Sequence, residues 1–199
     1  SIDLTFAGNP NNTVRALALG NNNLLYIGGS FSQINTSSRS FLAAVNKTTG
    51  AVNAWAPTLN STVLTLAIKD TLLIAGGQFT IVNQDLKNYL AVFNTNTGNL
   101  QKEYPGANYH IYDLHQYNNT IYAAGLFTYA GKYTGSAVKM SGTSANPNYN
   151  FPIVNGTVYI TIPDGSGGWY IGGNFTQIGT RNINNLAHIK SDNTLDTLF

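Results

Sequence analysis

The chain has 199 residues, of which 43% are hydrophobic and only 9% charged, and its net charge is +2 at pH 7. This length and apolar content fit a folded domain and exclude an intrinsically disordered chain. The basic residues are scattered, which excludes a nucleic-acid-binding surface, and the absence of cysteine excludes disulfides and thiolate metal sites. No apolar run approaches the length of a membrane span, so we expect no such segment.

The first unit of the chain reads as four short strands. Runs rich in Val, Ile, Leu, Tyr and Phe occupy residues 14–19, 24–31, 40–45 and 51–55. Residues 21–23 and 46–50, NNN and NKTTG, are typical of tight turns, because Asn and Gly accept positive φ. No stretch of ten or more residues has helical spacing of apolar positions. The unit is therefore predicted to be an antiparallel sheet.

This unit recurs along the chain. The segment LLYIGGSF, starting at residue 24, is followed by LLIAGGQF, TIYAAGLF and GWYIGGNF. Their closing aromatic residues recur every 48 residues, at Phe31, Phe79, Phe127 and Phe175. Four strands in about 48 residues are typical of a β-propeller blade. The sequence thus predicts an all-β protein of four four-stranded blades, at residues 7–55, 56–104, 105–151 and 152–199.

The paired glycines of the recurring segment have two readings. A glycine-rich loop can hold a phosphate at the start of a helix, but Gly28 and Gly29 lie inside a predicted strand that no helix follows. Glycine in a strand also allows a neighbouring backbone or side chain to come close. We therefore expect these glycines to serve packing between blades.

The outer strands contain one aromatic residue too many for four blades. Five aromatic residues hold this position, at Phe6, Trp55, Tyr104, Phe151 and Phe199. Residues 1–6 are therefore predicted to be a spare outer strand. It belongs either to a preceding blade of a larger propeller, which we favour, or adds to a blade edge of its own or a neighbouring subunit. Head-to-tail donation of this strand would allow self-association into a filament or lattice.

One polar cluster is a candidate site. His110, Asp113 and His115 lie on a predicted innermost strand, and Asp113 and His115 point to the same face. The matching positions of the other units are Ala16 and Ala18, Thr65 and Ala67, and Ile160 and Ile162. Polar side chains on only one of the four innermost strands are too few for a catalytic triad or a set of metal ligands. We therefore expect a local polar pair. The sequence predicts no catalytic residue, no metal, no cofactor and no enzyme activity.

Seven Asn-x-Ser/Thr sequons are candidate glycosylation sites: Asn11, Asn35, Asn46, Asn60, Asn118, Asn155 and Asn174. Three of them, at positions 11, 60 and 155, hold the same place in their units, just before an innermost strand. The alternative reading is turn chemistry, with Asn in the bend and Thr opening the strand.

The segments SIDLTFAG, NTLDTLF, IPDGSGGWYIGGNFTQIG and SRSFLAAVNKTTG resemble the delta-60 repeat, a bacterial β-propeller-like family, and also kelch-type repeats of cell-surface proteins. The resemblance extends over nearly the whole chain. It implies a propeller in a secreted or surface-attached protein and implies no catalytic residues. The third unit departs most from the pattern, because it lacks the basic residue that Arg39 and Lys87 supply.

Three functions follow as hypotheses. The first is a structural, adhesive or protein-interaction propeller at the cell surface. The second is a propeller that binds a glycan or small ligand through loops on one face. The third, an enzyme, is disfavoured because the chain has few charges and no cysteine. We expect an extracellular or cell-surface location, with surface proteins or glycans as partners.

Overall fold

The computed structural model describes residues 5–102, 104–133, 135–142, 147–148 and 150–199. All regular structure in these residues is β-strand, which confirms the predicted all-β class. Within these ranges no helix is long and apolar enough to cross a membrane. The chain divides into two compact units, Ser1–Glu103 (unit 1) and Tyr104–Phe199 (unit 2).

Nineteen strands lie in the described residues. In chain order they are β1 (Val14–Leu19), β2 (Leu24–Gly29), β3 (Gln33–Ile34), β4 (Ser37–Ser38), β5 (Leu42–Asn46), β6 (Val63–Lys69), β7 (Leu72–Gly77), β8 (Ile81–Val82), β9 (Asp85–Leu86), β10 (Leu90–Asn94), β11 (Ile111–Tyr117), β12 (Thr120–Gly125), β13 (Tyr129–Ala130), β14 (Lys132–Tyr133), β15 (Ala137–Ser141), β16 (Pro147–Asn148), β17 (Val154–Pro163), β18 (Trp169–Ile178) and β19 (Leu186–Ile189).

The larger strands form four antiparallel sheets, two in each unit. Unit 1 contains sheet 1, with strand order β1-β2-β5, and sheet 2, with order β6-β7-β10. Unit 2 contains sheet 3, with order β11-β12-β15-β16, and sheet 4, with order β17-β18-β19. Each sheet thus pairs its first strand with its second and its second with its third. In sheets 1, 2 and 3 the chain forms a two-stranded hairpin between the second and third strands: β3–β4, β8–β9 and β13–β14.

The fourth strand of each sheet is shorter than predicted. In the described residues only sheet 3 has one, β16. In sheets 1, 2 and 4 it is reduced to an isolated bridge, at Val45–Val52, Phe93–Leu100 and Ile189–Leu195. The chain leaves sheet 1 soon after this bridge, because Arg39 donates to the carbonyl of Asn53 at 2.7 Å and the Trp55 side chain turns into the core. Lys87 binds the carbonyl of Lys102 in the same way, at 2.7 Å.

The recurring phenylalanines are the anchors of the core. Phe31, Phe79, Phe127 and Phe175 are all 0% exposed. Each follows the second strand of its sheet, except Phe175, which lies within β18. Four aromatic side chains buried at the same place in four sheets explain why this position repeats in the sequence.

The two adjacent glycines have different roles. A Cβ on the second glycine, at positions 29, 77, 125 and 173, would lie 2.1–2.3 Å from a carbonyl oxygen in the first strand of the same sheet or in the residue just before it. A Cβ on Gly28 would instead lie 2.5 Å from Cγ1 of Val63, which belongs to sheet 2. Gly28 therefore serves the packing of one sheet on the next within unit 1, whereas Gly29 serves its own sheet.

The outer aromatic residues are wedges between neighbouring sheets. The Trp55 ring lies 5.0 Å from the ring of Tyr26 in sheet 1 and 5.9 Å from that of Phe93 in sheet 2. In unit 2, Phe151 lies 4.8 Å from Trp169. Phe6 is half-buried against the cluster of Ile27 and Phe31, and residues 1–4 of the predicted spare strand lie outside the described residues.

The glycine contacts predict the outcome of two substitutions in one strand. Gly173→Ala places a Cβ 2.1 Å from the carbonyl oxygen of Thr157, so we expect it to lower the free energy of unfolding by about 1–3 kcal/mol. Gly172→Ala meets only a side-chain methyl of Ile160, at 3.1 Å, and serves as the matched control with a change below about 0.5 kcal/mol. Urea unfolding followed by tryptophan fluorescence measures both; equal effects would contradict the assignment.

Candidate functional site

The polar cluster predicted on the third innermost strand does not converge on one point. His115 is exposed on β11, whereas Asp113 is half-buried. The Asp113 carboxylate accepts hydrogen bonds from the backbone N–H of Thr161, at 2.8 Å, and from its hydroxyl, at 3.0 Å. Asp113 therefore ties sheet 3 to sheet 4 within unit 2. In the described residues no group of three or more His, Asp or Glu side chains is placed to hold a metal ion.

His110 belongs to a row of aromatic side chains. Its ring stacks on Tyr109 at 4.4 Å and meets the ring of Tyr112 at 6.1 Å, edge to face. Tyr112 in turn lies 6.0 Å from Tyr159 of the neighbouring sheet. We call these four residues the aromatic surface. Tyr109 is 46% exposed and Tyr159 is 55% exposed, so the two ends of the row are open to solvent.

β-Bulges position the two central tyrosines. The register of β11 shifts between Ile111 and Asp113, and that of β17 shifts between Val158 and Ile160. Tyr112 and Tyr159 are the extra residues at these shifts. A bulge leaves its extra residue out of the ladder and redirects its side chain, which is how both rings reach the same side of unit 2.

The surroundings of His110 and Tyr112 favour their neutral forms. Partial burial lowers the pKa of His110, which favours the neutral imidazole. Partial burial also raises the pKa of Tyr112, and the neighbouring Tyr159 and Tyr109 add to this effect. The row thus offers flat apolar ring faces edged by hydroxyl groups. Such a surface can stack on the apolar face of a sugar ring while its hydroxyls exchange hydrogen bonds.

A second polar cluster, in sheet 4, was not predicted. The Nε2 atom of His188 lies 3.0 Å from Asp164, and its Nδ1 atom lies 2.9 Å from Asp196. The three side chains are 14%, 6% and 19% exposed, respectively. Asp164 opens the turn DGSGG and also accepts hydrogen bonds from Ser166 and Gly168. The cluster joins β19 to this turn and to the C-terminal segment.

The two carboxylates favour the charged form of His188. Burial lowers the pKa of His188, but hydrogen bonds and charge attraction from Asp164 and Asp196 outweigh it and raise the pKa overall. Burial favours the protonated form of Asp164, yet the hydrogen bonds from Ser166, His188 and Gly168 bring its pKa well below the usual range. The hydrogen bond from His188 likewise lowers the pKa of Asp196. These groups are all satisfied by one another, which indicates a structural clamp.

Unit 1 contains a polar pocket of about 370 Å³. The buried Tyr26 hydroxyl links two lining residues of the pocket, because it donates to the carbonyl of Thr95 at 2.8 Å and accepts from the Asn22 amide at 2.9 Å. Burial raises the pKa of Tyr26, so its hydroxyl stays protonated and donates. The lining consists of turn residues from both sheets: Asn21, Asn22, Asp70, Thr71, Thr95 and Asn96.

The sequon residues at the repeated position have a structural use. The Asn11 amide oxygen accepts from the backbone N–H groups of Ser32 and Gln33, at 3.0 and 3.1 Å. Asn60 does the same for Thr80 and Ile81, at 2.9 and 3.0 Å. Asn108, which is not in a sequon, repeats this pattern in unit 2 with Thr128 and Tyr129. The sequence analysis missed Asn108, although its distance of 48 residues from Asn60 was visible.

The remaining sequons vary in their surroundings. Asn155 occupies the fourth equivalent position but lies in β17, opposite Gln177. The carbonyl oxygens of the Asn35 and Asn46 side chains accept backbone hydrogen bonds in turns. Asn118 lies in the turn after β11 with φ of 50°, and Asn174 is exposed on β18. All seven sequon residues are exposed except Asn46, which is half-buried.

Comparison with known proteins gives structural matches only. No protein-family model matches the sequence, and no curated protein matches it. The computationally designed protein Ika4 is similar in fold, with a TM-score of 0.57, 14% identity, and coverage of 87% of this chain and 92% of the other. The extracellular domain of BT4673 from B. thetaiotaomicron is also similar, with a TM-score of 0.54, 15% identity and coverage of 94% of this chain. This chain spans 27% of that domain's length, and both likenesses concern the fold alone.

The hydrogen bonds of Asn60 predict that its side-chain oxygen contributes to the free energy of unfolding. Asn60→Ala removes the acceptor of two backbone N–H groups, so we expect a loss of about 1–2 kcal/mol in the free energy of unfolding. Asn60→Asp keeps that acceptor and should lose clearly less. Urea unfolding of both variants measures the difference, and equal losses would show that the two backbone hydrogen bonds contribute nothing.

The His188 clamp predicts a pH-dependent contribution to stability. Because the pKa of His188 is raised, its contribution is complete below the unfolded value of about 6.5 and fades as pH rises through the folded value. Because the pKa values of Asp164 and Asp196 are lowered, their contribution is complete above the unfolded value of about 3.9 and fades as pH falls. We therefore expect His188→Gln to cost most between about pH 4 and 6.5.

Urea unfolding of the wild type and of His188→Gln from pH 3 to 9 tests this dependence. Lys190→Gln is the control, because its amino group lies further from Asp196, at 3.5 Å, and is 45% exposed. A His188→Gln effect that is constant over the whole range would contradict the clamp.

Proposed function

We propose that this chain is a run of β-propeller blades that acts outside the cell as a non-enzymatic adhesion or protein-interaction module. The observation that carries the proposal is the packing of successive sheets within each unit. Sheet 1 lays Ala16, Ala18 and Tyr26 against Leu66 and Leu73 of sheet 2, in one hydrophobic cluster. Sheets that stack face to face along the chain, each with its strands in sequence order, are the building principle of a propeller.

Unit 2 repeats this packing with different residues. Tyr122, Ala124 and Ala137 of sheet 3 share a cluster with Trp169 and Ile171 of sheet 4. The delta-60 resemblance supports the same interpretation, since that family is propeller-like. Propellers carry their functions in turns and loops at the two ends of the strands, on a rigid support.

Three observations support an extracellular, non-enzymatic role. The fold is similar to an extracellular domain. Charged residues make up 9% of the chain, and Asn, Thr and Tyr provide its polar surface. The carboxylate of the predicted polar cluster is engaged in packing, because Asp113 binds Thr161 in the next sheet.

Cell-surface display tests the adhesive role. We expect non-adherent host cells that display the 199-residue chain to be retained on a layer of target cells or matrix under flow, several-fold above cells that display an unrelated β-domain. Soluble chain should compete for this retention. Display without any gain in retention, on every surface tried, would reject the adhesive role and leave the fold assignment untouched.

The aromatic surface favours glycan binding as a second function. Its open rings, Tyr109 and Tyr159, and the neutral His110 between them match the apolar face and hydroxyl edge of a sugar. A row of four rings spans more than one sugar unit, which predicts a preference for short oligosaccharides over monosaccharides. Partners in this case are surface glycans.

A glycan array followed by calorimetry tests this second function. Tyr159→Ala should weaken binding of the best glycan about tenfold, because one ring–sugar contact is lost. Tyr129→Ala is the matched control, since Tyr129 is 48% exposed, close to the 55% of Tyr159, but lies outside the aromatic surface. Equal effects of both substitutions, or no glycan bound, would refute the proposed site.

A further inference from the structure

Sheet 4 exposes a broad apolar surface. Ile160 and Ile162 on β17 are 53% and 54% exposed, and Leu186 on β19 is 56% exposed. They lie on the same face as Tyr170. In the sheet, Tyr170 is the partner of Ile162, and Gly172 is the partner of both Ile160 and Leu186. We call this the forward surface. Contiguous exposed apolar residues on a folded domain mark an interaction surface.

In sheet 1 the same positions are covered. Ala16, Gly28 and Leu42 lie side by side in sheet 1, as Ile160, Gly172 and Leu186 do in sheet 4. Leu42 is 0% exposed because sheet 2 packs on it, whereas its counterpart Leu186 is mostly open. The forward surface is therefore one half of a sheet-to-sheet joint whose other half is missing.

The chain contains that other half on β1. Leu66 and Ile68 of β6 are the side chains with which sheet 2 packs on sheet 1. Their counterparts on β1 are Leu17 and Leu19, which are 60% and 63% exposed. We call these two residues, with Val14, the backward surface.

The two surfaces also match in shape, with a protruding side chain, the knob, on one and an open space above a glycine, the hole, on the other. In unit 1 the side chain of Val63 fills the space above Gly28, where a Cβ would come within 2.5 Å of it. The counterpart of Val63 on β1 is Val14, which is 37% exposed. The counterpart of Gly28 is Gly172, above which a Cβ would meet only its own sheet's Ile160. The forward surface thus has the hole, and the backward surface has the knob.

We propose that the forward surface of one chain binds the backward surface of a second copy, so that copies associate head to tail. Each chain presents both halves of the joint, and both are exposed on the single chain. The residues that define the two surfaces are all uncharged, so apolar burial drives the contact. His188, which pairs with Tyr170 at the border of the forward surface, is already engaged by Asp164 and Asp196. Such a heterologous contact closes into a ring when the rotation permits and otherwise extends into a filament. The inference depends on packing within each unit and not on the adhesive role.

Complementary blocked variants test the proposal with the 199-residue chain. The forward-blocked variant is Ile160→Asp with Ile162→Asp, and the backward-blocked variant is Leu17→Asp with Leu19→Asp. Leu86→Asp is the control, because Leu86 is 81% exposed on β9 and belongs to neither surface. Sedimentation equilibrium gives the mass over a range of concentrations, and far-UV circular dichroism verifies folding. If an Asp variant fails to fold, Thr at the same positions replaces it.

We expect the wild type and Leu86→Asp to associate with rising concentration. Each blocked variant should remain monomeric, with its association weakened at least about a hundredfold. An equimolar mixture of the two blocked variants should form a one-to-one complex, because each retains the half that the other lacks. A monomeric wild type, a blocked variant that associates like the wild type, or a mixture without complex would each overturn the proposal; the first of these results would point to closure within one chain or to a further blade.

Discussion

Sheets 1 and 3 each bury one face by packing on the next sheet of the same unit. A three-stranded sheet is too small to form a core by itself, so the apolar face of sheet 1 depends on the leucines of sheet 2, and sheet 3 depends on sheet 4 in the same way. In unit 1 the outer aromatic residue, Trp55, packs between sheets 1 and 2, against Tyr26 and Phe93. This dependence explains both the regular period of the sequence and the exposed apolar residues on the outer faces of β1 and β17.

The sequence was informative wherever a feature depends on local pattern and period. Strand β1 was predicted at its observed bounds, and the all-β class follows from alternating apolar runs with Asn- and Gly-rich turns. The second strand was predicted to reach Phe31 but ends at Gly29, because the side chain of Asn11, from before β1, binds the backbone after it and starts a hairpin. A contact between residues so far apart leaves no local pattern. The fourth strand of sheet 1 was predicted to be longer than it is, for the same reason. The Arg39 side chain binds the carbonyl of Asn53 in the outer segment, and no local pattern shows this contact.

The sequence could locate the residues of the candidate site along the chain, but it could not identify the residues that they contact. The period placed Asp113 beside the next innermost strand, and its partner Thr161 is 48 residues further on, one period away. The sequence could not show that Tyr112 and Tyr159 come together, because this depends on two bulges that shift the register by one residue. The cluster of His188 with Asp164 and Asp196 combines a turn, a strand and a terminal segment, and the spacing of its members resembles no known motif.

The basic side chains that bind the outer segments affect the long-range electrostatic interactions of this protein. Of ten basic side chains, Arg39 and Lys87 already serve backbone carbonyls, and Lys87 is only 8% exposed. Few charges are therefore left to create a long-range electrostatic field. A surface of this kind neither attracts nor repels partners from beyond contact distance. The affinity of its contacts should therefore change little between low and high ionic strength.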